Sequence, residues 1–248
     1  MTRVAIVGRG RLGSAVRAAL AARGAEVLEL SRSNGFDVSA PVSFKAYGPL
    51  DAVVEATDVF TTDPRKARDF FVASTEHIGA AARDAAVPLH LLVSIVRCSE
   101  PTLAGNGYYA GKAAQERAFA AGDGTGKAIL RSTLWYEFAR QNVERFRVGP
   151  IALVPSMTVR PVALDAVAEL AAQRCVGETR FDVLDVCGPD VTTLWAMTKA
   201  LPAVRGALIP LRVPGTAGRA LRDGTLLPTD GTRVIGPAFD EWLTAAPR

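Results

Sequence analysis

Short apolar runs alternate along the first half of the chain with longer segments whose apolar positions recur every three to four residues. That alternation marks βαβ units built around a mainly parallel sheet. Four runs, 3–7, 26–30, 51–56 and 89–95, are nearly continuous in apolar residues, as strands buried on both faces must be. Helical spacing predicts helices over 12–22, over 64–86 with Pro64 at the first position, and over 108–121. Further on, the pattern predicts a strand near 128–131, a helix over 135–146, and a strand over 159–162 feeding a helix capped by Asp165. A strand over 181–186 and a helix running from a Thr192 or Thr193 cap to Leu201 follow. Beyond Pro202, proline and glycine are frequent and periodicity is weak, apart from a short helix over 217–222. The expected class is α/β, a doubly wound parallel sheet.

A chain of 248 residues, 49% hydrophobic and 22% charged, can bury a sizeable core. Its net charge of +4 comes from scattered lysines and arginines with no polybasic run, which argues against a nucleic-acid partner. Cys98, Cys175 and Cys187 have no CxxC spacing, and His77 and His90 are the two histidines, so no metal is expected and a reducing compartment is. The first apolar segment is too short for a secretion signal, and the longest, 91–96, already contains Ser94 and is far too short to span a bilayer. The expectation is a cytoplasmic protein with a small-molecule partner and no membrane; its oligomeric state is open.

The first strand runs into Gly8-Arg9-Gly10-Arg11-Leu12-Gly13, a GxGxxG that opens a helix. In a strand–turn–helix context the first glycine makes the tight turn, the second lets backbone approach a pyrophosphate, and the third lets the helix pack closely. The helix N-terminus supplies amides and positive dipole for phosphates. At the end of the second strand, where NAD-preferring folds place a carboxylate, the sequence reads Leu30-Ser31-Arg32-Ser33. Glu29 is nearby but is expected to face away from Leu30 and to fall short of the strand tip. A guanidinium and two hydroxyls suit a 2′-phosphate, with Arg9 as a second clamp, so the expected cofactor is NADP(H) rather than NAD.

The chain resembles the atypical short-chain dehydrogenase/reductases, and within them the NmrA-like NAD(P)H-binding branch. The resemblance rests on GRGRLG at 8–13, LSRS at 30–33, DAVVEA at 51–56, LLVSIV at 91–96, YYAGK at 108–112, LRSTLWYEF at 130–138, RPVALDAVAEL at 160–170 and CGPD at 187–190. It implies a Rossmann domain over 1–155 and a small C-terminal substrate lobe over 156–248, integrated with the same fold. It further implies that Asp37 touches adenine and that Ala56 lines the cofactor, although Asp37 reads equally well as a turn former. Tyr108 and Lys112 become a proton donor and its electrostatic partner, with Ser94 orienting a substrate carbonyl. On one helix face an ammonium four residues away lowers a phenol's pKa from about 10, and the same Lys112 can hold a ribose. Tyr109 competes with Tyr108 for the role, and the helix over 64–86 lacks the Asn that classical enzymes place there. Trp135, Tyr136 and Phe138 are candidates for a substrate wall or for core. Arg219 and Arg222 could face an anionic substrate or cap the lobe. The expected activity is NADPH-dependent reduction of a carbonyl, quinone or imine-like molecule; a non-catalytic NADP(H) sensor and a cyclase or isomerase on the same scaffold are the alternatives.

Overall fold

A computed structural model describes residues 1–59, 61, 63–124, 126–202 and 204–245. Strand β1 (Arg3–Val7) leads through the glycine turn into α1 (Arg11–Ala21) and β2 (Glu26–Leu30). A loop with two short 3-10 turns then reaches β3 (Ala52–Glu55), α2 (Pro64–Asp84) and β4 (His90–Ile95). Next come α3 (Gly107–Ala121), β5 (Lys127–Ser132), α4 (Phe138–Arg145), β6 (Arg147–Val148), β7 (Ile151–Pro155) and β8 (Thr158–Val159). The chain ends with α5 (Leu164–Cys175), β9 (Val183–Cys187), β10 (Thr192–Thr193), α6 (Leu194–Ala200), β11 (Ala207–Leu211), α7 (Gly215–Arg222), β12 (Arg233–Val234) and α8 (Phe239–Ala245).

The main sheet has seven strands in the order β12-β9-β5-β4-β3-β1-β2, every pairing parallel. It is the parallel, doubly wound α/β sheet that the apolar runs predict. Val4, Ile6, Val54 and Leu91 pack toward α1 and α5 on one face, while Ala5, Val7 and Val53 meet Ile78 and Ala82 of α2 on the other. After β1 the chain moves outward to β2, then returns across β1 to β3. Ligands of such sheets collect beyond the carboxyl ends of the strands at this reversal. The loop over 31–51 adds no strand outside β2, so the order on this side is 2-1-3-4 and β2 forms the edge.

The C-terminal segment returns to this sheet through β9 and β12, and also builds a small cluster of its own. There β11, β7 and β6 form a three-stranded sheet, and β10 pairs with β8. Several boundaries differ from the periodicity reading. The helix expected over 135–146 begins at Phe138, because Trp135 is held in a parallel bridge to Val162. The strand expected over 159–162 stops at Val159, and that expected over 181–186 is shifted to Val183–Cys187. Asp165 does not cap α5, whose cap position is Ala163; its carboxylate lies inside the first turn, where the helix dipole still favours it. Thr193 is the α6 cap, its Oγ1 accepting from the Ala196 amide at 3.1 Å.

Candidate active site

The glycine turn owes its shape to three different constraints. Gly8 has φ +117°, and a Cβ on it would lie 2.4 Å from the Ala56 carbonyl oxygen. A Cβ on Gly13 would lie 1.9 Å from the Gly8 carbonyl oxygen. Gly10 differs: no heavy atom among the described residues, its own neighbours apart, comes within 4 Å of where its Cβ would be. Gly10 also caps α1, and as a glycine it brings no side chain to cap the amides of the first turn. The turn is therefore closed beneath Gly8 and Gly13 and open above Gly10, the cradle a pyrophosphate requires. Leu12 is buried beneath it, and Arg11 reaches Glu144 at 3.6 Å.

Beyond β2 the side chains form a basic and hydroxylic cluster. Ser31 Oγ and Ser33 Oγ lie 2.8 Å apart, and Arg9 donates to Ser33 Oγ at 3.5 Å. Glu29 lies close to two arginines. Its carboxylate lies between Arg9 at 3.8 Å and Arg17 at 3.7 Å, so two guanidinium groups neutralise it. Arg32 opens an exposed 3-10 turn whose Asn34 side chain ties back to the Glu29 carbonyl at 2.6 Å. Asp37 accepts from the Ser39 amide at 2.9 Å, which makes it a turn former and, together with the nearby Arg32, holds its pKa below the usual value.

Past the carboxyl ends of β4 and β5 lies a cavity of about 530 Å³, walled by aromatic and aliphatic side chains. Tyr108, Tyr109, Trp135 and Phe138 all line it. The Trp135 indole is fixed by donating to Ser132 Oγ at 2.9 Å. Two expected site residues are elsewhere. Tyr136 is 1% exposed; its hydroxyl donates to the Pro237 carbonyl and its ring packs on Phe239 and Trp242, so it pins α8 rather than walling the cavity. Ser94 faces the underside of α3, where its Oγ lies 4.0 Å from Cys98 Sγ, and the strand end contributes Ile95 and Val96 to the cavity instead. Arg222 bonds to the Val213 carbonyl within the lobe.

The Tyr108 environment reverses one electrostatic expectation. Burial is the largest influence, followed by the nearby carboxylate of Asp58; together they raise its pKa well above the ordinary phenol value. Lys112 does not counter this. It is 4% exposed, donates to the Val93 carbonyl at 2.9 Å and to Gln115 Oε1, and lies 5.1 Å from the Phe71 ring centroid. Burial lowers the Lys112 pKa, against an opposing pull from Glu55 and Asp58. Spacing of i and i+4 thus places both side chains around Phe71 without pairing the ammonium with the phenol.

Behind Lys112 lies a buried polar network that no motif announces. Glu55, 1% exposed at the end of β3, accepts from Thr75 Oγ1 at 2.5 Å and Gln115 Nε2 at 2.6 Å, and its other oxygen pairs with His90 Nε2 at 3.0 Å. Burial alone would raise the Glu55 pKa, but these contacts and the charge on Lys112 outweigh it and hold the carboxyl below its ordinary value. His90 is accordingly structural, as is His77, whose Nδ1 lies 2.9 Å from the Val38 carbonyl. Asp58 and Glu55 escaped the motif reading because each lies at or just past a strand end. The one sequence signal for Glu55 is a carboxylate interrupting the apolar run of β3.

Among the described residues, no cluster of three or more His, Cys, Asp or Glu side chains could hold a metal, and no helix is long and apolar enough to cross a membrane. No family model matches the sequence, and comparison with curated proteins gives no match. Solved structures do match in fold. A dTDP-4-dehydrorhamnose reductase from Clostridium acetobutylicum superposes with a TM-score of 0.69 at 13% identity, covering 94% of this chain and 95% of that one. A short-chain dehydrogenase/reductase superfamily protein from Agrobacterium tumefaciens with bound NAD gives 0.64 at 15% identity over 98% and 95%. A Thermus thermophilus UDP-glucose 4-epimerase in complex with NAD gives 0.65 at 17% over 98% and 92%. The likeness is one of fold, and two of these three structures hold NAD; it does not single out an NmrA-like branch.

Proposed function

We propose that the chain is an NADPH-dependent reductase of a small carbonyl, quinone or imine-like compound. The observation that carries the reading is continuity between cradle and cavity: Ala56 backs Gly8 in the turn, and two residues on Asp58 lines the same cavity as Tyr108. NADPH bound along the turn would supply the hydride. The protein's own part is to exclude water with the aromatic wall and to provide a proton at the acceptor oxygen. Tyr108 remains a neutral phenol across the physiological range, so its hydroxyl is a standing donor. Lys112 sits under the site as a buried cation whose geometry Val93 and Gln115 fix.

Gly10→Val tests the cradle without threatening the fold, since the added side chain enters open space. NADPH binding should be lost while the thermal unfolding transition keeps its position; retained affinity in the folded variant places the nucleotide elsewhere.

Preference for the 2′-phosphate follows from the guanidinium and hydroxyl groups of Arg9, Arg32, Ser31 and Ser33 beside a neutralised Glu29. A charge-assisted contact is worth roughly 1.5–3 kcal/mol, so Arg32→Ala should weaken NADPH by about one to two decades and leave NADH nearly unchanged. Fluorescence titration of both reduced cofactors measures this; equal loss for both, or none, removes Arg32 from the specificity argument.

A further inference from the structure

A second cavity, of about 760 Å³, lies at the opposite end of the sheet from the glycine turn. It opens between the C-terminal halves of α2 and α3, where His90 and Lys127 begin β4 and β5, and it shares no lining residue with the cavity beside Tyr108. His90, 6% exposed, is part of its lining. The contact that ties His90 into the buried network uses one ring nitrogen, Nε2, which lies 3.0 Å from Glu55 Oε2. Because Glu55 is held as a carboxylate, Nε2 is the nitrogen that donates, and in the neutral ring Nδ1 is left as an acceptor. Nδ1 has no hydrogen-bond partner among the described residues. Nor is it sealed: the enclosed polar side-chain atoms without a partner are Thr133 Oγ1, Glu137 Oε2 and Asn142 Oδ1, none of which belongs to this cavity. A molecule in the cavity can therefore reach Nδ1.

Gly79 gives an independent sign that this space is open by construction. It stands inside α2 and lines the cavity, and no described heavy atom beyond its chain neighbours and its own helix backbone comes within 4 Å of where its Cβ would be. Glycine inside a helix costs stability relative to alanine. Gly111 of α3 offsets that cost by close packing, since a Cβ there would lie 2.6 Å from the Phe71 ring. Nothing of the kind accounts for Gly79, which supplies room instead.

The remaining lining limits what the occupant can be. Thr75 Oγ1 is spent on Glu55, and Lys127 is spent on the carbonyls of Phe119, Ala120 and Gly122 at the end of α3. Glu76, Arg83 and Asp123 are exposed and of both signs, so they offer hydrated charges and no buried counter-ion. Ala82, Val87 and Phe119 provide buried apolar wall, and the Phe119 ring stands 4.8 Å from the His90 imidazole at an angle of 72°. One accessible acceptor beside an aromatic wall, with no charge to neutralise an ion, suits an uncharged ring that carries a hydroxyl.

We propose that this cavity is a second ligand site, separate from the nucleotide cradle and the cavity beside Tyr108, and that it takes an uncharged aromatic alcohol. The hydroxyl donates to His90 Nδ1 and the ring packs against Phe119 and Val87. The Glu55 carboxylate fixes the tautomer and direction of the imidazole, as an outer partner does for a ligating histidine.

The probes are 2-naphthol and its methyl ether, each titrated into the whole chain, labelled with ¹⁵N-histidine, with and without NADPH. His77 and His90 are the two histidines, and His77 Nδ1 is already engaged by the Val38 carbonyl, so His77 serves as an internal reference. Naphthol should shift the His90 Nδ1 resonance, leave His77 in place, and bind about tenfold or more tightly than the ether, which has no proton to donate. Gly79→Leu sends its side chain into the open space, and should abolish the His90 shift while the thermal unfolding transition and NADPH affinity are kept. His90→Phe should erase the preference for the hydroxyl; should it fail to fold, the Gly79→Leu result and the parent's preference decide the matter. Naphthol binding that leaves His90 unshifted, equal affinity for the ether, or a shift that survives in folded Gly79→Leu overturns the proposal. So does a parent dimer in sedimentation that Gly79→Leu dissociates, which would give the cavity to a second copy of the chain.

Discussion

Tyr108→Phe should keep NADPH affinity while lowering turnover by about two to four decades, the loss typical of removing a general acid. The hydroxyl lines the aromatic cavity, and nothing in the backbone of the glycine turn depends on it. Because burial and Asp58 raise its pKa, the protonated form that donates persists to high pH. The alkaline limb of the pH–rate profile therefore lies above the ordinary phenol range. Asp58→Asn removes the anion, lowers that pKa, and should move the limb to lower pH. A parent protein that oxidises NADPH with ketones and quinones as fast as Tyr108→Phe has another proton donor. A parent with no oxidation at all, yet tight NADPH binding, matches the redox-sensor alternative, which the engagement of Lys112 by Val93 and Gln115 also favours.

The strands β1, β3 and β4 were legible because they are buried on both faces, which forces nearly continuous apolar runs, and because helical segments alternate with them. The small sheet of the lobe was not. Strands β7 and β11 read as short apolar runs, IALVP and ALIPL, but they have partly or largely exposed residues, each carries a proline, and they pair in parallel across more than fifty residues, so no turn joins them and no helical segment of the βαβ pattern points from one to the other. Their assignment depends on tertiary contact, which overrides local preference in strands.

Within the site the same division holds. The glycine turn is local geometry written in consecutive residues: Gly8 and Gly13 sit where a Cβ would clash, and Gly10 where it would not. The spacing of Tyr108 and Lys112 fixes their helix face but not what the long lysine stem reaches once Phe71 stands between α2 and α3. Ser94 is not among the residues lining the cavity, whereas Ile95 and Val96 are; strand alternation turns successive side chains to opposite faces, which a motif match does not resolve. Tyr136 could not be told from Trp135 and Phe138 by spacing, since what pins it is the carbonyl of Pro237, a hundred residues on.

Glu55→Ala should destabilise the fold by about 3–5 kcal/mol, the cost of removing one partner from a buried charged network and leaving the other uncompensated. His90, Thr75 and Gln115 each lose an acceptor at a depth that water does not readily reach, and Lys112 loses its nearest buried countercharge. Urea unfolding at neutral pH measures the loss, and a change of less than about 1 kcal/mol would mean that the network repacks without Glu55. The pH dependence separates charge from packing. In the parent, Glu55 has a lowered folded pKa, so its contribution is present above the unfolded carboxylate range near 4.3 and is lost as pH falls through the folded value. Lys112 has a lowered folded pKa as well, so the unfolded chain binds the extra proton and stability rises with pH between the folded value and the unfolded value near 10.4. Removing Glu55 takes away a group that raises the Lys112 pKa and pushes the folded value lower still. The variant should therefore gain stability with rising pH over a wider window than the parent, starting nearer neutrality. It should also lose the acid-side contribution. A variant whose stability is uniformly reduced at every pH would show that Glu55 acts there by filling space, and that the ammonium of Lys112 is held by Val93 and Gln115 alone.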